Sequence, residues 1–135
     1  MAIKVLDSWA LVAFLLDEPA AEEVEKLLVR ASDEKLRLLL CVINWAEVYY
    51  SIARAESESV AEQKMKELAT LGIELVPVSE DLSLVREAAR LKARHRMSYA
   101  DCFAAALAKT RNAELVTGDP EFKQVENEVK LLWLR

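Results

Sequence analysis

At 135 residues, 53% hydrophobic and 30% charged, the chain has the composition of a packed globule. It is too short for two cores, so one domain over residues 1–135 is expected and a disordered chain is excluded. A net charge of −5 argues against a protein that grips nucleic acid by unspecific phosphate attraction, though not against an enzyme that handles it through metal ions.

Ile3 to Leu6 is a short apolar run with β-branched residues and predicts a buried strand ending at Asp7. Trp9 to Leu16 predicts a helix too apolar to be exposed. Pro19 suits the first position of a second helix, with Glu22, Glu23 and Glu25 in its early turns. Leu38 to Val42 predicts a second strand, followed by a helix from Asn44 to Glu56. Ser59 with Glu62 reads as a capping box for the next helix, closed near Gly72. Ile73 to Val78 predicts a third strand, and Ser79 a cap for the helix running to Lys92. Ser98 then caps an Ala-rich helix that carries Asp101 in its first turn. Glu114 to Thr117 and Lys130 to Leu134 predict the last two strands. Short apolar strands alternating with helices make a parallel sheet covered on both faces, an α/β three-layer α/β/α sandwich.

No basic-plus-apolar leader opens the sequence, and no apolar run approaches the roughly 18 residues of a membrane span. Cys41 and Cys102 fall within apolar elements and read as buried thiols. A cytoplasmic protein with no membrane partner is expected.

Ligands of such sheets bind at the carboxyl ends of the strands, which makes four acids informative. Asp is scarce, 6 residues against 17 Glu, so an Asp at an element end looks placed. Asp7 follows the first strand and Asp119 the fourth. Glu47 and Asp101 sit in the first turns of helices. Each has a plainer reading: Asp7 as a helix cap, Asn44–Glu47 and Ser98–Asp101 as capping boxes, Gly118-Asp119-Pro120 as a turn. Convergence on one edge is something capping does not require. Two carboxylates about 4 Å apart repel by roughly 4 kcal/mol at an effective dielectric of about 20, so such a cluster calls for a cation. Carboxylates suit Mg²⁺ or Mn²⁺, whereas one His and no close cysteine pair argue against zinc. The reaction class this favours is metal-assisted phosphodiester hydrolysis.

Four stretches in order carry a family resemblance: Val5-Leu6-Asp7-Ser8, Asn44-Trp45-Ala46-Glu47-Val48, Ser98 to Ala108, and Leu115-Val116-Thr117-Gly118-Asp119-Pro120-Glu121-Phe122. The chain resembles PIN-domain ribonucleases, more narrowly the VapC toxins of toxin–antitoxin pairs. The resemblance implies a five-stranded parallel sheet, Mg²⁺- or Mn²⁺-dependent endonuclease activity on RNA, and inhibition by a cognate antitoxin protein. On its pattern Asp7, Glu47, Asp101 and Asp119 form the acidic quartet, with Ser8 and Thr117 as supporting hydroxyls.

Other features stay open. The run Arg86, Arg90, Lys92, Arg94, His95, Arg96 just before Ser98 is either an RNA grip, with Arg94 and Arg96 as the candidate contacts, or a solvated helix face. Trp9 and Trp45, beside Asp7 and Glu47, read as core, as base-stacking residues or as the wall of an antitoxin groove. Tyr49 and Tyr50 cannot both face a core, which leaves one for a contact in an expected homodimer. A housekeeping nuclease of RNA maturation fits the same residues. A receiver-like signalling module fits the architecture, but Val76-Pro77-Val78-Ser79 offers no acceptor Asp; a nucleotide-binding module lacks its Gly-rich loop.

Overall fold

The computed structural model describes residues 1–135. In chain order it contains β1 (Ala2–Leu6), α1 (Ser8–Leu15), α2 (Ala21–Ser32), β2 (Leu36–Cys41), α3 (Val42–Ala55), α4 (Glu58–Leu68), β3 (Glu74–Val76), α5 (Ser83–Arg94), α6 (Tyr99–Thr110), β4 (Glu114–Thr117), a 3₁₀ turn (Pro120–Val125) and β5 (Leu131–Trp133). The strands form one sheet in the order β3-β2-β1-β4-β5, with every pairing parallel.

The apolar interior of this one domain divides into two layers, one on each face of the sheet, because strand side chains alternate between faces. Val5 pairs in register with Leu39 and with Leu115, and all three enter the core under α5, α6 and the 3₁₀ turn, with Leu91, Phe103, Leu107 and Phe122. Their neighbours Leu6, Leu38, Leu40 and Val116 point the other way, onto Leu11, Leu28, Val48 and Ile52 of α1 to α3. The three-layer α/β/α arrangement expected from the strand pattern is therefore present. Burial on both faces explains why Val5-Leu6, Leu38 to Cys41 and Leu115-Val116 are apolar at successive positions, with Lys4, Arg37 and Glu114 directly before them.

Several boundaries differ from expectation. Helix α2 begins at Ala21, so Pro19 lies in the preceding turn. Helix α3 begins at Val42, which moves Asn44 from the cap into the first turn. The cap of α4 is Ser57, accepting from Val60 N–H at 3.1 Å, and not Ser59. Helix α5 starts after Leu82, a residue in the left-handed region at φ 65°, and Asp81, not Ser79, accepts from the Ser83 N–H. Strand β3 is shorter than expected and lies at the sheet edge, where Arg37 makes two bonds of 2.8 Å to Glu74. No helix is long and apolar enough to cross a membrane.

The strand order places the topological switch between β1 and β4, which pair side by side while their following connections run to opposite sides. The crevice outside the carboxyl ends of these two strands is where such sheets bind ligands. It lies between Asp7 and Thr117.

Candidate active site

Asp7 is the residue directly after β1 and is 1% exposed. It caps α1, with one oxygen accepting from Ala10 N–H at 2.9 Å. Its other oxygen accepts from the Thr117 hydroxyl at the end of β4. Burial pushes the Asp7 carboxyl up to about 8, the two hydrogen bonds opposing and the charges of Asp101 and Asp119 adding. Capping and site placement thus coexist in one side chain.

Asp101 is delivered by α6. Ser98 caps that helix by accepting the Asp101 N–H at 3.1 Å, so the carboxylate is fixed at its first turn. The Ala104-Ala105-Ala106 segment behind it is fully buried, consistent with close helix–sheet approach. Burial first, then the charges of Glu47 and Asp119, raise Asp101 to about 7. Glu47 stands on α3, half-buried, and is held by Asn44, whose amide donates to it at 3.3 Å and to the Ala100 carbonyl at 2.9 Å. Asn44 is 0% exposed and ties the first turn of α3 to that of α6. Read from sequence as a cap, it is instead the brace that sets Glu47 against Asp101.

Asp119 follows β4. Its N–H donates to the Thr117 hydroxyl at 3.0 Å, and its carboxylate accepts from Glu121 N–H at 3.0 Å, starting the 3₁₀ turn. Carboxylate oxygens of Asp101, Asp119 and Glu121 all lie within 4.8 Å of one another. Glu121 is a residue the sequence reading missed. Only its place two residues beyond Asp119 hinted at it, and that hint has force once the 3₁₀ turn is known.

A cavity of about 220 Å³ opens among Ser8, Trp9, Glu18, Glu47, Asp101 and Asp119. Asp7, buried next to Ser8 in the chain, does not itself line it. Of the four acids expected to converge, Asp101 and Asp119 meet directly, Glu47 shares the cavity, and Asp7 is outside its lining but within reach of the charges of both Asp residues. No Lys, Arg or His forms an ion pair with any of these acids or with Glu121. A cluster of oxygen donors with uncompensated charge is suited to a hard divalent cation.

The two tryptophans separate. Trp9 lines this cavity at 37% exposure, while Trp45 packs near Tyr49, ring centroids 6.1 Å apart, on the far side of α3. The cationic run is mostly engaged elsewhere. Arg94 and His95 both bond Glu128, at 3.6 and 3.0 Å, Arg90 bonds Glu87 at 3.0 Å, and Lys92 donates to the Met97 carbonyl. Arg96 is exposed and forms no ion pair; its backbone N–H donates to Gln124 of the 3₁₀ turn at 2.9 Å.

The sequence profile of the PIN domain matches residues 4–128. No curated protein matches the chain by sequence. Among solved structures, VapBC2 from Rickettsia felis bound to a promoter DNA fragment aligns with TM-score 0.73 at 19% identity, covering 98% of this chain and 99% of that one. DNA-bound VapBC from Salmonella typhimurium aligns with TM-score 0.74 at 14% identity, covering 98% of each chain. VapC20 of Mycobacterium tuberculosis, a sarcin-ricin-loop-cleaving toxin, aligns with TM-score 0.70 at 12% identity, over 90% of this chain and 94% of that one. At these identities the likeness is one of fold.

Proposed function

The chain belongs to the PIN-domain family, and from that premise we propose that it is an endoribonuclease dependent on Mg²⁺ or Mn²⁺, acting as the toxin of a toxin–antitoxin pair in the cytoplasm. One observation carries the catalytic part: carboxylate oxygens of Asp101, Asp119 and Glu121 gather within 4.8 Å at the carboxyl edge of the sheet, with no protein cation to balance them.

In this reading Asp7, Glu47, Asp101 and Asp119 hold the metal, with Glu121 as a further donor. A bound divalent ion would supply an acidified water and a positive charge for the phosphoryl oxygens. The protein's own part is placement. Thr117 and Ala10 fix the two oxygens of Asp7, so that carboxylate cannot turn away from the crevice. Asn44 holds Glu47, and Ser98 holds the start of α6. Burial raises the proton affinity of Asp7 and Asp101, so a bound cation would compete with protons for these two carboxylates. Ser8, at the cavity wall, is a supporting hydroxyl. Arg96, free of ion pairs, is the better of the two candidate RNA contacts, because Arg94 is shared with Glu128.

The antitoxin partner rests on the likeness of this fold to chains solved in VapBC complexes. A homodimer belongs to the same reading. Tyr50 stands 44% exposed on α3 with the Arg54 guanidinium 4.9 Å over its ring, and Tyr49 is tied to Glu62 at 2.8 Å.

The test is cleavage of total RNA with Mg²⁺, with Mn²⁺ or with chelator, comparing wild type and Asp101→Asn and mapping the cut ends. Discrete metal-dependent cuts that vanish in a folded Asp101→Asn protein support the reading. Undiminished cutting by that variant, or no cutting with either ion, overturns it.

A further inference from the structure

Helix α1 buries Ser8, Ala10, Leu11, Ala13 and Leu15, yet its largest side chain, Trp9, is left 37% exposed. Val12 and Phe14 of the same helix are half-buried, so Trp9 is its most solvent-open side chain, and what distinguishes it is where the ring sits. Its place is specific. The ring shares the cavity wall with Glu47, Asp101 and Asp119. Its outer edge also lies against Gly118: a β-carbon there would come within 2.2 to 2.7 Å of Cη2, Cζ3 and Cζ2 of the ring. Only a glycine between Thr117 and Asp119 leaves room for this approach. The indole is thus seated on the very segment that carries Asp119, with one side toward the cavity.

We propose that Trp9 is a stacking platform for a nucleobase of single-stranded RNA, the base belonging to a nucleotide next to the phosphate at the acidic cluster. The inference rests on the nuclease reading above and adds how that site grips its substrate. The chain is acidic, at net charge −5, and the cavity is lined by Glu18, Glu47, Asp101 and Asp119. Phosphate attraction therefore contributes little at this spot, and a contact with a base face supplies affinity that negative charge does not oppose. Stacking on an aromatic ring tolerates any base, since each has a π face. Base identity at this position is then set by stacking strength rather than by a hydrogen-bond code.

The experiment uses chelator, so that RNA binds without being cut, and a short single-stranded oligoribonucleotide of about eight residues as probe. Trp45 and Trp133 are replaced by Phe, leaving Trp9 as the sole indole of the three. The RNA is expected to quench Trp9 emission. Moving one abasic residue along the oligomer, at constant phosphate charge, should abolish quenching at one position. Trp9→Leu should lose roughly tenfold in affinity and Trp9→Phe should keep most of it. That loss should be the same at low and high salt, because no counterions are released by stacking. Gly118→Ala, which evicts the ring without altering it, should mimic Trp9→Leu.

Quenching that ignores abasic substitution, or Trp9→Leu binding RNA as wild type does, overturns the platform. So does a Trp9→Leu defect confined to binding a partner protein. Should wild type bind the oligomer and cut RNA with metal while these Trp9 effects are absent, the nuclease reading stands and this inference alone fails. Failure of wild type to bind the oligomer overturns this inference, and failure to cut RNA with either metal overturns both. If Trp9→Leu does not fold, the quenching comparison on the Trp9-only protein still decides.

Discussion

The Thr117 hydroxyl donates to Asp7 across the junction of β4 and β1 while accepting the Asp119 N–H at 3.0 Å. A single buried oxygen therefore couples two carboxylates that are 112 residues apart in sequence. Thr117→Val keeps the shape and removes both bonds. With the Thr117 bond gone, burial acts on Asp7 less opposed, so its proton is held more tightly and the metal competes less well. Metal affinity is expected to fall by about 10- to 100-fold, with about 1–2 kcal/mol of stability lost and Thr117→Ser restoring much of both. Titration calorimetry with Mn²⁺ checks this; unchanged affinity refutes the coupling.

Asp7→Asn separates function from stability. The amide oxygen can still accept from Ala10 or Thr117, and the charge that burial disfavours is gone. The metal-free variant is expected to be as stable as wild type or more so by about 1 kcal/mol. Cleavage should fall by at least about 100-fold, and the metal-induced rise in melting temperature should shrink. A variant that unfolds, or that cleaves normally, contradicts the assignment of Asp7.

The pH dependence follows from the same burial. Folded Asp7 and Asp101 titrate near 8 and near 7, while unfolded carboxylates titrate near 3.8. Between those values the folded state holds more protons, so these two groups make the metal-free protein lose stability as pH rises from about 4 to about 8. Metal binding runs the opposite way, because the ion must displace the protons. Thermal melts with and without Mn²⁺ at about pH 5 and about pH 8 should show a larger metal-induced shift at the higher pH. A shift independent of pH would mean that the carboxylates are already ionised.

Away from the site, Lys109 joins α6 to α5 and to the turn that follows the 3₁₀ segment, with Nζ 2.7 Å from Glu87 and 3.3 Å from Glu128. Lys109 and Arg90 hold Glu87 below the usual carboxylate range against burial. Lys109→Met should destabilise by about 1–2 kcal/mol, a discounted figure because the ammonium is partly solvated, and should leave cleavage unchanged. Chemical denaturation measures it; a loss below about 0.3 kcal/mol would make the pair an ordinary surface contact.

How much of this was legible before folding can be followed residue by residue. Strands β1, β2 and β4 were readable because burial on both faces leaves apolar residues at successive positions, in Val5-Leu6, Leu38 to Cys41 and Leu115-Val116. Asp7 and Ser98 were readable as caps because capping is a local hydrogen bond over three residues. Asn44, Ser57 and Asp81 were misjudged or passed over for a related reason. A helix start shifts by one turn when tertiary contacts favour it, and Ser, Asn and Asp near the boundary then trade roles. Glu121 had only its place two residues beyond Asp119 as a signal, since its meeting with Asp101 depends on the 3₁₀ turn. Trp9 was legible as unusual but not as exposed, because α1 is apolar all round and its pattern names no outer face.

By itself, then, the sequence determined the alternation of strands and helices, the family and the acids worth watching. These follow from burial periodicity and from residue types whose chemistry is local. Tertiary structure alone decided that Thr117 bridges Asp7 and Asp119, that Asn44 braces Glu47, that Glu121 joins the cluster, and that Trp9 faces the cavity while Trp45 does not. Each of these is a meeting of side chains from different elements. Their distances are set by how the parallel sheet brings β1 and β4 side by side and how closely the Ala-rich helix α6 lies against it.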